Sequence, residues 1–555
     1  VLKPTAPQAG KIDILDVSVQ ASVGVVPAGA PLVRLPLVTG NVKTSASALK
    51  NLEAKDDLGP LVLTSRDDSG SEAPYRHWVA GRPVRGRLTL DYEVAIDDAP
   101  NPRGAAPPLE LRTEDGAFSG LLATFAILPD SDRPYTLDLH WDLSAVAPGA
   151  IGVSTLGLGD ASEPGSSSSA DLGTNFVMGG ALGREPAAPG SDGFFSAWQG
   201  SPPFDAHALM QWTHTLYAFD EKFFESPGNV YSVFLRYNPI NAGGGVAIGN
   251  SFVGTFDKNT DPSDFKFTLA HEMVHTFVGG LSDDSYGAWF SEGLAVYYQR
   301  VLPFRAGLIS RAAFLKDVNE TAARYYTDIL NTTPNDGIEA RFWADTRVRV
   351  LPYDRGSLYF ALVDEEIRKA SKGARSLDDL VLAMLKRRRD GLSLTTADWR
   401  EAVGKALGPR GPAEFDDMLA GKVLSLPSDT FGACFELTSA PMRRYELGFT
   451  PDVLIEPKRI VRGLVAGSAA ERAGLRNGDE IVKPVPQDLI QNDQHALLDL
   501  IVRRHGRVQT ISYLPRGETV VVNQWRDTGK CGEATHGVGA LSMAEKSTAS
   551  SHISR

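Results

Sequence analysis

Cysteine is almost absent: 555 residues carry two, Cys434 and Cys531. They lie about a hundred positions apart, which is not metal-ligand spacing. In an exported protein they would form one disulfide closing the C-terminal region, and in the cytosol they would be two unrelated thiols. No run of 18 apolar residues occurs, so no segment is expected to span a membrane as a helix. Positive charge is in deficit, with 56 Lys and Arg against 68 Asp and Glu and a net charge of −12. That balance argues against nucleic acid or an anionic membrane as the main partner. The densest basic stretch, LKRRRDG at 385–391, reads as a solvated helix end. The chain starts Val1-Leu2-Lys3-Pro4 without an initiator Met, which fits a mature form after signal removal or a trimmed chain. With the cysteine pair, this gives an expectation of export to a periplasm or the outside, the cytoplasm being the alternative.

What is present is an ordinary globular composition, 42 % hydrophobic and 22 % charged, over a length that implies three or four domains. Residues 1 to about 170 look β-rich, with strand-like alternation in GRLTLDYEVAI (86–96) and YTLDLHWDLS (135–144). GDASEPGSSSSADLG (159–173) reads as a boundary or exposed loop. AHALMQWTHTLYAFDEKFFE (206–225) has a helical pattern, followed by short strands in VYSVFLRYN and GGVAIGNSFV. Residues 303 to about 430 look helical, and short strands with Gly-rich turns return after about 440. MAEKSTASSHISR at the end is expected to be disordered.

Histidine is scarce, ten in all, yet two stand four apart in DPSDFKFTLAHEMVHTFVGG. Asp261 is a helix cap, Pro262 suits the first helical position, and Gly279-Gly280 suits the end. At i and i+4, His271 and His275 project from one face, as two ligands of one ion must. Glu272 beside them can reach a metal-bound water without ligating, the usual reading of H-E-x-x-H on a helix. With His at about 2 % and Glu at about 6 % of positions, this pattern arises by chance in on the order of 1 % of such chains. Catalytic zinc takes three protein ligands and a water. No other His lies between 215 and 494, so a local third ligand must be a carboxylate. Glu292 in WFSEGLAVYYQR is a lone acid in an apolar helix, where burial demands compensation. Asp283 and Asp284 are the competing acids, in a loop that looks solvated.

HEMVH with WFSEGLAVYY resembles the gluzincin metallopeptidases, a group that includes aminopeptidase N-like enzymes and the PDZ-containing glycyl aminopeptidase family. The resemblance implies Zn²⁺ held by His271, His275 and Glu292. The spacing of sixteen residues between His275 and Glu292 is short for either branch, so the connecting loop is trimmed. LPYDRGSLYFALVDEEIRKASKGARSLDDLVLAML resembles the Y-E-K-G-x-L helix of these families, which maps the transition-state tyrosine to Tyr353. GGGVAIGNSF (243–252) stands where the family has a Gly-rich edge strand for the substrate backbone, implying contacts from Gly244, Gly245, Val246, Ala247 and Asn250. The alignment puts Ala247 at the position of the glutamate that holds a substrate's free amino terminus. ELGF (446–449) and SAAERAGLRNGDEIV resemble the carboxylate loop and helix-turn-strand of a PDZ domain.

The expected architecture is multidomain α+β. It comprises an N-terminal β domain (1–170), a thermolysin-like zincin catalytic domain (171–302), an α-helical domain (303–432), a PDZ-like domain (433–535) and a disordered tail (536–555). The expected function is zinc-dependent peptide hydrolysis, as an aminopeptidase, with Glu272 as general base and Tyr353 on the oxyanion. Two alternatives stand beside it: an endopeptidase or oligopeptidase on the same zinc site, and a peptide-binding protein acting through the PDZ-like domain with weak catalysis. Expected partners are a peptide or protein substrate and a peptide ligand of the PDZ-like domain.

Overall fold

A computed structural model describes the chain except residues 41, 69–73, 97–106, 189, 191, 228–229, 240–241, 284–288, 457, 484, 486 and 532–555. The tail expected over 536–555 therefore lies outside the described residues. The chain divides into two compact units, Val1–His214 with Gly228–Lys266, and Thr215–Pro227 with Phe267–Arg555. This coarse division falls at other points than the boundaries expected from the sequence.

The first unit is β-rich. Val84–Ala95 shows the expected two-residue alternation, with Leu88, Leu90, Tyr92 and Val94 buried. It pairs antiparallel with Ile14–Val26 on one side and Leu49–Asp56 on the other. A second sheet, in the order Leu128–Pro129, Pro31–Pro36, Tyr75–Ala80, Leu63–Asp67, contributes Val33, Leu35 and Trp78 to the same apolar core. The stretch 135–144 departs from the expected strand, since only Asp138–Leu139 forms a ladder, with Ala161–Ser162. Its neighbours are held piecemeal, by a Tyr135–Ser167 bridge and by the Trp141 indole N–H donating to the Gly159 carbonyl at 2.9 Å.

The same unit holds a mixed sheet in the order Leu182–Glu185, Phe194–Gln199, Tyr231–Tyr237, Ser251–Phe256, Gly245–Ile248. Its three central strands are parallel. They are buried on both faces, as continuous apolar runs require. Gly245–Ile248 is an edge strand antiparallel to Ser251–Phe256, turned through Gly249-Asn250, with Gly249 at φ +55°.

The eight longer helices among the described residues are α1 (Ala206–Phe223), α2 (Pro262–Val278), α3 (Trp289–Arg305), α4 (Arg311–Thr327), α5 (Leu351–Ala370), α6 (Leu377–Arg389), α7 (Thr396–Leu407) and α8 (Arg410–Leu419). The second unit takes the later turns of α1, most of α2 and all the rest. After them a long hairpin pairs Phe435–Tyr445 with Arg516–Asp527. Between its arms runs a segment with its own apolar core, including Leu447, Phe449, Leu475, Leu500 and Tyr513, and a small sheet of Glu480–Ile481, Leu498–Arg504 and Arg507–Tyr513. Cys434 and Cys531 are joined as a disulfide at the open end of the hairpin.

Candidate metal centre

Helix α2 starts and stops on local chemistry. The Asp261 side chain accepts from the Ser263 N–H at 2.8 Å, and the Asp261 carbonyl accepts from the Phe265 N–H at 3.0 Å. Gly279 follows the last residue in the left-handed region, at φ +59°. Arg388, on α6, donates to the carbonyls of Val278 and Gly280, satisfying acceptors that every helix end leaves open. Arg389 donates to the Phe224 carbonyl at 3.0 Å, and Arg387 to Asp398 at 2.7 Å. The basic run expected to be a solvated helix end is thus spent on ties within the second unit.

One turn of α2 separates His271 from His275, and their Nε2 atoms meet at 3.1 Å. Glu292, in the first turn of α3, brings Oε2 to 3.2 Å from the first and 3.3 Å from the second. Among the described residues these three form the one cluster of His, Cys, Asp or Glu with metal-ligand spacing. The triangle fits a zinc ion. Ligand atoms at about 2.0–2.1 Å from a tetrahedral ion stand roughly 3.3–3.4 Å apart. Glu292 Oε2 is a buried acceptor without a well-formed hydrogen bond, and a cation would satisfy it. The three side chains are 11 %, 21 % and 23 % exposed.

The electrostatics follow from this crowding. Burial opposes charge on Glu292, but the two imidazoles outweigh it and hold the carboxyl well below the usual range. Burial also opposes charge on His271, and Glu292 with Glu272 more than offsets that, raising its pKa. Glu272 is pushed up by burial, while the charges acting on it most are His271, His275 and Glu292, so its carboxyl belongs to the same cluster.

Tyr353 lies in the first turn of α5 and stacks on His271, with centroids 5.9 Å apart and planes 16° from parallel. Two glycines bring it there. A Cβ on Gly293 would lie 2.7 Å from the Cα of Gly356, and one on Gly356 would lie 2.7 Å from the Trp289 carbonyl oxygen. Helices α3 and α5 therefore cross backbone to backbone beside Glu292 and Tyr353. The glycine after Glu292 and the glycine after Tyr353-Asp354-Arg355 are packing requirements of that crossing.

The competing acid Asp283 is exposed and accepts from the Thr396 N–H at 2.8 Å and hydroxyl at 3.2 Å. Asp284 lies outside the described residues. Gly245, Val246 and Ala247 lie on the edge strand of the first unit, Gly244 just before it and Asn250 in its turn. A Cβ on Gly245 would strike the Phe252 ring at 2.3 Å, so glycine is needed to seat the strand. Ala247 is exposed.

Two polar residues of the centre escape a motif-based reading. Gln299 Oε1 stands 3.1 Å from His271 Nδ1, and its Nε2 donates to Asp317 Oδ1 at 3.0 Å. Gln299 is seven residues beyond Glu292, two turns along the same face, which is the signal that could have found it. Asp317 sits on α4, and nothing local in the sequence ties it to the site.

The fold is similar to that of an aminopeptidase N-like protein. An aminopeptidase N family protein from Idiomarina loihiensis has a similar structure, at TM-score 0.62 and 15 % identity, over 94 % of this chain and 97 % of that one. A zinc metallopeptidase of the M1 family from Deinococcus radiodurans, bound to Tyr-Ser-Ala, aligns at TM-score 0.42 and 18 % identity, over 76 % and 94 %. Yeast LTA4 hydrolase aligns at TM-score 0.42 and 13 % identity, over 77 % and 67 %. No curated protein matches the sequence significantly. The sequence profile of the M61 glycyl aminopeptidase family matches residues 282–333, the segment that carries Glu292, Gln299 and Asp317. The chain is a peptidase that resembles this family.

Proposed function

We propose that the chain is a zinc-dependent metallopeptidase, and specifically an aminopeptidase. The observation that carries the reading is the convergence of His271, His275 and Glu292 on one point, with Glu272 and Tyr353 beside it. Zinc, when bound there, supplies a Lewis acid and lowers the pKa of a coordinated water. The chain's own residues do the rest. Glu272 accepts the proton of the attacking water and hands it to the leaving amine. The Tyr353 phenol donates a hydrogen bond to the oxyanion that develops on the scissile carbonyl. The free edge of Gly245–Ile248, with Gly244 and Asn250 at its ends, is the segment assigned to pairing with extended peptide main chain.

The finer architecture belongs to the same proposal. It comprises a thermolysin-like catalytic domain over 171–302, a helical domain over 303–432 and a PDZ-like domain over 433–535 that binds a peptide end. The separate apolar core between the hairpin arms supports the last of these. The disulfide supports an exported, periplasmic or secreted, location.

A second reading has one observation in its favour. Ala247 offers no anion for a free amino terminus, which favours cleavage of internal bonds or of blocked peptides. Matched free and N-acetylated peptides separate the two, with a chelator arm and Glu272→Gln as the blank. Cleavage of free peptides only, lost with chelator and reduced by about 10²–10⁴-fold in the blank, is the expected result. Equal cleavage of acetylated peptides would select the second reading. Absence of cleavage with zinc bound would overturn the peptidase assignment for these substrates.

A further inference from the structure

The contacts of Gln299 form a chain of obligatory directions. Asp317 on α4 is fixed by Arg300, whose Nε donates to Oδ2 and whose Nη2 donates to the Thr321 hydroxyl at 2.8 Å. Arg300 is 1 % exposed and Asp317 8 %, so neither can turn away to water. An Asp317 carboxylate can only accept, so the Gln299 group facing it at 3.0 Å must be the NH₂. The opposite end of the amide, Oε1, then faces His271 Nδ1 at 3.1 Å, and it too can only accept. His271 is left donating through Nδ1, and Nε2, 3.2 Å from Glu292 Oε2 and 3.1 Å from His275 Nε2, is the nitrogen that faces the other two ligands. Every direction in this chain is fixed at its far end by a guanidinium.

We propose that Gln299 is a positioning residue of the metal centre. Its amide, keyed by Asp317, locks His271 in the tautomer that offers Nε2 to the ion. The inference rests on reading the centre as a zinc site. It differs from a direct carboxylate contact in one respect: an amide can flip. The information that prevents the flip sits one residue further out, on α4. Asp317 therefore acts on the ligand without touching it.

The test replaces the key and then the lock. In Asp317→Asn the Asn carbonyl serves Arg300, its NH₂ faces Gln299, and the Gln299 amide turns over to present NH₂ to His271. His271 Nδ1 then faces a donor and loses its acceptor. Adding Gln299→Glu restores an acceptor that cannot turn over, and leaves the formal charge of the cluster as in the unmodified chain. Two readouts are taken on full-length protein. Zinc affinity is measured by competition with a chromophoric chelator, and the hydrogen-bonded His271 Nδ1–H by long-range ¹H–¹⁵N spectra of the zinc-bound protein. The expected outcome is zinc binding weakened by about 10–100-fold in Asp317→Asn, with loss of the hydrogen-bonded Nδ1–H signal, and recovery of both readouts in the double variant. Gln299→Met, which leaves the Asp317–Arg300 pair intact, is expected to weaken zinc to a similar degree and covers the case in which Asp317→Asn does not fold.

An unchanged Nδ1–H signal and affinity in a folded Asp317→Asn, or a double variant no better than the single, would overturn the proposal. A zinc-bound unmodified protein whose His271 shows no hydrogen-bonded Nδ1–H would do the same. Should the unmodified chain bind no zinc, the metal reading fails, and this proposal with it.

Discussion

Tyr353 is the residue whose role depends most on its neighbours. A tyrosine in the first turn of a helix is ordinarily a packing group, and this one does pack beside the small cluster of Ile338, Phe342, Val348 and Leu351. Its stacking on His271 sets it beside the converging ligands. If the phenol serves the oxyanion, Tyr353→Phe keeps the ring and the stack and loses only the donor. The expected effect is a fall in kcat of about 10²–10³-fold with KM little changed, measured by steady-state kinetics on unblocked peptides. A change confined to KM would return Tyr353 to packing. The histidine pair and Glu272 were legible in the sequence because one helical turn fixes their relation before any tertiary contact forms. Gln299 was not, since a glutamine on a helix face carries no motif until a ligand is found opposite it.

Among the elements, α3 and α5 are the pair on which the site depends. Their closeness rests on Gly293 and Gly356, neither of which has room for a Cβ against backbone atoms that cannot swing aside. Gly356→Ala is expected to destabilise the fold by about 1–3 kcal/mol through overpacking. By pushing α5 off α3 it should also cost activity beyond the unfolded fraction, read by comparing denaturation midpoints with kcat/KM at a temperature where the variant is folded. Full activity in a folded variant would mean that the crossing tolerates more than the contacts imply. Helix α4 adds a polar stripe at i, i+4 and i+7. Asp317 and Thr321 serve Arg300, and Arg324 grips Asp354, next to Tyr353, through three contacts of 2.6–3.2 Å. One buried face thus steadies both the His271 side and the Tyr353 side of the centre. The sequence marked this region as helical, but did not show which of its charged residues are buried.

For the molecule as a whole, buried acids set a pH dependence of stability. Asp328 follows α4, with Oδ1 accepting from the Leu330 N–H at 2.8 Å and Oδ2 buried without a partner. Burial pushes its pKa up to about 7. The folded state therefore holds a proton that the unfolded chain has released above its ordinary value of 3.8. The contribution is whole below that value and is lost as pH rises through 7, at no more than about 1.4 kcal/mol per pH unit. Asp220, with both oxygens buried and unpartnered, is shifted the same way by burial, as is Glu366 by burial and by Glu414 beside it. Asp328→Asn keeps the acceptor for Leu330 and removes the proton. Its denaturation midpoint is expected to fall less than that of the unmodified chain between pH 4 and pH 7. Identical slopes would show that Asp328 titrates normally.

The sequence by itself determined the elements whose causes are local. The caps and span of α2, the face shared by His271 and His275, the alternation of Val84–Ala95 and the choice of Glu292 as the nearest suitable acid all follow from helical or strand period and from the cost of burying a lone carboxyl. It also carried enough of the glycyl aminopeptidase pattern to indicate the class. Tertiary structure alone decided what depends on partners distant in the chain. These are the two-unit division, the return of the hairpin around residues 446–515, the use of Arg388 to close α2, the glycine-on-glycine crossing, and the Gln299–Asp317 relay behind His271. The physical reason is common to all of them. A hydrogen bond or a close approach needs both partners to be specified, and a sequence read along its length displays each of them alone.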